Sequence, residues 1–185
     1  MERYDALKVF AREYFNIDDT IHGYNHALQV IKNSHCIANK HGCNVDLELL
    51  SIAALLHDMH FSIESHTPIY AYIFEPYVAP RVAKDIISMS GVNFSFQELD
   101  IILEAIKNHP HSFPFRRLNR SKDLYSQILQ DADTLELFNT KRLQNVRGYA
   151  GQNIVIRSWL LIKDFFAKDM NRYLNIELSS DCERK

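Results

Sequence analysis

Four side chains in this sequence combine a chemistry and a location that rarely coincide. His26 stands four residues before Val30 on one helical pattern. His57 and Asp58 follow the apolar run Leu49 to Leu56, and Asp133 lies between Ile128-Leu129 and Leu135. Imidazoles and carboxylates ligate metals and carry protons near neutral pH. Apolar helix faces are bound for a core, where an unmatched polar group is costly. A single such residue reads as a buried group satisfied by hydrogen bonds. Four of them on three separate helices share one solution, a divalent cation that neutralises all of them at once. A mixed imidazole and carboxylate set without sulfur suits Mn, Fe, Zn, Co, Ni or Mg. Such a cation lowers the pKa of a water it binds and polarises the oxygens of a phosphorus centre.

Those residues must be positioned by helices, since only five Gly and five Pro interrupt the chain and no strand-period alternation persists. The spacing predicts a first helix from about Tyr4 to Phe15 and a turn over Asn16 to Thr20. A second helix runs from about Tyr24 to Lys40 and ends at Gly42. Asp46 reads as the N-cap of a third, Leu47 to about Met59, apolar nearly all round and so a core helix. A fourth runs from Thr67-Pro68 to about Val78, and Pro80 opens a separate short helix to Ser90, closed by Gly91. Ser95 caps a helix from Phe96 to about Asn108, and an irregular loop follows through Pro110 and Pro114. Two more helices are expected over about Lys122–Phe138 and Gln152–Asn171. The fold class is therefore all-α, a single domain over residues 1–178 with a disordered tail over 179–185.

Three segments occur in order: Asn25-His26-Ala27-Leu28-Gln29-Val30, then Ala53-Ala54-Leu55-Leu56-His57-Asp58, then Gln130-Asp131-Ala132-Asp133-Thr134-Leu135. They resemble the HD-domain metal-dependent phosphohydrolase superfamily, whose pattern is His, then His-Asp, then Asp. The likeness covers about residues 21–145. It implies an HD-like bundle of about seven to nine helices, a hydrolase using a metal-activated water, and one or two divalent ions per chain. It makes His26, His57, Asp58 and Asp133 the metal ligands. Asp133 is preferred to Asp131 because it stands two residues before a helix-core Leu, as the family's aspartate does. Asp131 then becomes a neighbour that orients a ligand.

Some members hold two ions and add histidines in the regions of His66 and His109. The resemblance implies a second metal or a substrate phosphate contact there, and the alternative is surface histidines at helix ends. His22, one turn before His26, matches a histidine near the pocket mouth in a related group. It reads as a proton carrier acting with Asp58, or as a solvated turn residue. The chain departs from two branches at Phe61, three residues after Asp58, where they place a Lys or a Glu; Glu64 follows three further on. It also has His109-Pro110-His111 where two-metal members carry adjacent histidines. The alternatives are a metalloenzyme of other chemistry, a hydratase or oxygenase, or a non-catalytic metal-containing binding module.

Arg116, Arg117 and Arg147 are candidates for gripping a substrate phosphate, against the reading of a solvated basic turn. His60 is expected to point away from the site, and His35 and His41 to lie on the surface. The aromatics Phe61, Tyr70, Tyr72, Phe74, Phe113 and Phe115 read as core rather than as a stacking wall. A net charge of -2 argues against a stable nucleic-acid partner. The expected partner is a small, phosphorylated substrate, and a homodimer is left open. Three cysteines read as reduced thiols, and the start of the chain carries charge where a leader needs an apolar run. No stretch approaches the ~20 apolar residues of a membrane span. A cytoplasmic location is the expectation.

Overall fold

The structure, a computed structural model, describes residues 2–16, 19, 21–63, 68–110, 123–137, 144, 147, 174 and 175. It contains seven described helices: α1 (Glu2–Arg12), α2 (Tyr24–Lys40), α3 (Leu47–Leu56), α4 (Met59–Ile63), α5 (Pro68–Ser90), α6 (Phe96–Asn108) and α7 (Leu124–Leu137). No strand occurs among the described residues, and the all-α class holds. The helix expected over Gln152–Asn171 and the tail over 179–185 lie outside them.

α3 is the axis of the bundle. Every residue from Leu49 to Leu56 is buried, because a helix that is apolar all round must be covered on every side. α1, α2, α6 and α7 supply the cover. One continuous core joins Leu7, Ile37, Ile52, Ile106 and Leu129 and reaches Leu174. The helix starts follow their capping chemistry. Asp46 Oδ1 accepts from the backbone N–H of Glu48 at 2.7 Å and of Leu49 at 3.2 Å. Ser95 and Glu98 form a reciprocal capping box at the head of α6. Arg3 reaches both Glu48 and Glu98 at 2.9 Å and so ties α1 to α3 and α6.

Three features differ from the sequence reading. Residues 68–90 form one helix, not two, with Pro76 and Pro80 inside it. An internal proline loses a hydrogen bond and costs about 3 kcal/mol. The buried stripe Val78, Ala79, Val82, Ala83, Ile86 and Ile87 outweighs that cost by packing on the bundle. α3 stops at Leu56, and His57-Asp58 make a turn into the short α4. Cys36 is disulfide-bonded while Cys43 is free. The reading of three reduced thiols is corrected there, since an odd count forbids full pairing but allows one pair. No helix among the described residues is long and apolar enough to cross a membrane.

Candidate metal centre

His26 lies in the first turn of α2, whose entry is shaped by Gly23. A Cβ at Gly23 would lie 2.0 Å from the Asp19 carbonyl oxygen, so only glycine lets the preceding loop close against this helix. Further along α2, the Asn33 side chain donates to the Ala132 carbonyl at 3.2 Å, which sets the α2 face against α7. His57 and Asp58 are delivered by the end of α3; because that helix must be buried, so must they be. His57 is fully buried and Asp58 is 5% exposed. Asp133 comes from α7, whose first turn is capped by Asp123 accepting from Ser126 N–H at 2.8 Å.

The four side chains meet. His26 Nε2 lies 3.2 Å from His57 Nε2, 3.3 Å from Asp58 Oδ2 and 3.2 Å from Asp133 Oδ1. His57 Nε2 lies 3.2 Å from Asp58 Oδ2 and 4.0 Å from Asp133 Oδ1. His57 Nδ1 sits 2.8 Å from the Ala54 carbonyl, which only accepts, so Nδ1 carries the hydrogen and donates. A neutral His57 therefore turns its Nε2 lone pair toward carboxylate oxygens that also carry lone pairs. Such an arrangement repels itself unless a proton or a metal ion sits within it. Metal–ligand bonds of about 2.0–2.2 Å at roughly right or tetrahedral angles separate neighbouring ligand atoms by about 2.8–3.6 Å. Four of these five separations fall in that range, and the donor set fits a divalent ion.

His109, at the end of α6, joins from the other side. Its Nδ1 donates to the Ile106 carbonyl at 2.5 Å, and its Nε2 lies 3.6 Å from Asp58 Oδ1 and 3.3 Å from Glu75 Oε1. The electrostatics follow from burial against neighbours. Burial alone would raise the Asp58 carboxyl, but His57, His109 and His26 outweigh it and hold it well below its usual value. Burial would lower His109, yet Asp58 and Glu75 hold it well above the usual imidazole value. Glu75 is pushed up, chiefly by burial.

Among the other described candidates, His22 and Asp131 have partners of their own. His22 stacks on Phe61, ring centroids 4.0 Å apart and 20° from parallel. Its Nδ1 lies 3.5 Å from Asp19 Oδ2, and Asp19 Oδ1 accepts from Ile21 and His22 N–H. Burial opposes the Asp19 charge, but the His22 bonds and these N–H groups outweigh it and hold its carboxyl low. His60 is buried beside Phe61, both ring nitrogens lack a hydrogen-bond partner, and burial pushes its pKa down to about 4. Asp131 is fully buried and accepts from Asn175, at 2.6 Å from its N–H and 2.9 Å from Nδ2. His35 is half-buried and bonds Ser51 Oγ at 2.7 Å, so it is not the surface residue its polarity suggested. Phe74 is 42% exposed and is not core. Arg147 is exposed. His66, His111, Arg116, Arg117, Phe113 and Phe115 lie outside the described residues.

Sequence reasoning missed Glu75. It shares a helical stripe with the buried Val78, Ala79, Val82 and Ile86, at spacings of three, four, seven and eleven. Splitting this segment at Pro80 cut the stripe and hid the carboxylate in it.

Residues 23–137 match the family model described as HD domain. A crystal structure of a predicted HD superfamily hydrolase from an uncultured Thermotogales bacterium is similar, with a TM-score of 0.56 and 26% identity. The likeness covers 78% of this chain and 74% of that one. No curated protein matches the chain.

Proposed function

We propose that this chain, which belongs to the HD-domain family, is a metal-dependent phosphohydrolase acting on a small phosphorylated compound. His26, His57, Asp58 and Asp133 would hold its divalent ion. One observation supports this above the rest: His57 Nδ1 is committed to the Ala54 carbonyl, so its Nε2 converges on His26 Nε2 and Asp58 Oδ2 at 3.2 Å each. A divalent ion bound there supplies a Lewis acid and lowers the pKa of a water it coordinates.

The chain's own groups then have distinct tasks. The Ala54 carbonyl locks the His57 ring in its ligating tautomer. Asp58 lies between imidazoles from three helices and fixes their common point. The Asp133 side chain is 22% exposed against 8% for Asp58, which supports the α7 side as the side from which substrate would reach the ion. His22, held by Asp19 and stacked on Phe61, is proposed as the group that moves a proton in the reaction. Arg116, Arg117 and Arg147 are proposed to grip the substrate phosphate. The similar solved protein being a predicted hydrolase supports the reaction class.

The test is elemental analysis of protein purified without added metal, beside turnover of a panel of phosphomonoesters, phosphodiesters and nucleotides. The expected result is a bound divalent metal and activity on at least one compound, both lost in Asp133→Ala. A metal-replete protein that hydrolyses nothing on the panel would overturn the phosphohydrolase reading.

A further inference from the structure

The metal centre makes no use of the outer face of α5. Among the described residues, the exposed large hydrophobics of α1, α6 and α7 stand singly, as Val9, Phe96 and Leu124. The rest gather on α4 and α5: Ile63, Ile73, Phe74, Tyr77 and Met89. Single apolar residues on a surface are ordinary, whereas a gathered set marks an interaction site. Tyr77 is 73% exposed and Met89 is 55% exposed. Ile63 and Met89 line one groove with Arg81, Val82, Asp85 and Ile86. Tyr77, Arg81, Asp85 and Met89 are all exposed and stand four residues apart. They make one ridge along the helix, about 18 Å long.

We infer that this face of α5 is a homodimer interface, in which the ridge of Tyr77, Arg81, Asp85 and Met89 packs antiparallel on the same ridge of a second copy. A two-fold contact must match itself, and this ridge does. From either end it runs apolar, charged, charged, apolar, and its two charges are opposite in sign. A two-fold axis midway between Arg81 and Asp85 sets each guanidinium opposite the other protomer's carboxylate. The same axis sets each Tyr77 ring opposite the other protomer's Met89 thioether, a favourable contact. Ridges of this spacing run parallel to one another when two helices cross at about −50°, the commonest packing between helices. Opposite charges facing across an interface fix its register. A partner of different sequence would have no need for the signs to invert about the midpoint of the ridge.

The experiment is sedimentation velocity over a concentration series, with the wild type expected to dimerise. Arg81→Asp puts two carboxylates opposite each other, and Asp85→Arg puts two guanidiniums there, each at two symmetric points. Either change should weaken the dimer about 10-fold or more. Both positions are exposed, and an unchanged helical circular dichroism spectrum shows that each variant is folded. Mixing the two single variants should restore dimers, because every facing pair is then of opposite sign. The variant carrying both changes should dimerise by itself for the same reason. A wild type that stays monomeric throughout the series overturns the interface. Single variants that dimerise as tightly as the wild type place any dimer on another face. Folded single variants that fail to pair when mixed overturn the antiparallel register.

Discussion

Replacing Asp58 by Ala removes a carboxylate that three of the buried imidazoles approach, at 3.3 Å for His26, 3.2 Å for His57 and 3.6 Å for His109. In the wild type, an ion that binds only the folded state stabilises it by about 2.7 kcal/mol when present at 100 times its dissociation constant. For a chain of this length, each kcal/mol raises Tm by roughly 2–4 °C, so saturation should raise it by about 5–11 °C. Asp58→Ala leaves His26, His57 and Asp133 without the oxygen between the imidazoles. Loss of a ligand should weaken binding at least about 100-fold. At the same metal concentration only about 0.4 kcal/mol then remains, a shift of about 1–2 °C. The assay is a thermal melt of each protein with and without metal. Comparing the metal-dependent shift within each variant cancels whatever the substitution does to the metal-free fold. A wild-type shift surviving in Asp58→Ala would refute the placement of the ion, and no shift with any of Mn, Fe, Co, Ni, Zn or Mg would refute the centre itself.

Gly23→Ala forces a Cβ to within 2.0 Å of the Asp19 carbonyl; urea unfolding should show a loss of about 1–3 kcal/mol, with weaker metal binding because His26 follows three residues on. Glu98→Gln tests the capping box by pH. The Glu98 carboxyl is held below its ordinary value of 4.5 by the Ser95 N–H first and by Arg3 next, so its stabilisation is full above pH 4.5 and fades as pH falls through the lowered value. The urea midpoints of wild type and variant should differ at pH 7 and converge in acid; a gap that persists below the carboxylate range would count against the box. Leu55→Ala, at a fully buried position of α3, should cost about 2–5 kcal/mol in the same assay. His35→Ala should leave the metal content unchanged by elemental analysis, since the described bond of His35 is to Ser51.

The legible part of this protein was local. The N-cap Asp46, the Ser95 capping box and the apolar run of α3 declare themselves within a few residues, because capping and helical period act over one or two turns. Even the burial of His57 and Asp58 could be read, since the helix before them has no polar face to expose. α5 shows the limit. Its two prolines argue for a break, and only packing of the stripe around Val82 decides otherwise.

What the residue order settled is therefore the all-α class and the placement of two imidazoles and two carboxylates on apolar surfaces. What tertiary structure alone decided is which groups meet. Asp131 and Asp133 are two residues apart, about 200° around a helix, so they cannot face the same neighbour; the fold gives one to Asn175 and the other to His26. Glu75 acquires its meaning only when α5 lies against α6 and brings it to His109. The periodicity of a helix sets the direction of each side chain, but distances between helices depend on how every buried face fills its space at once.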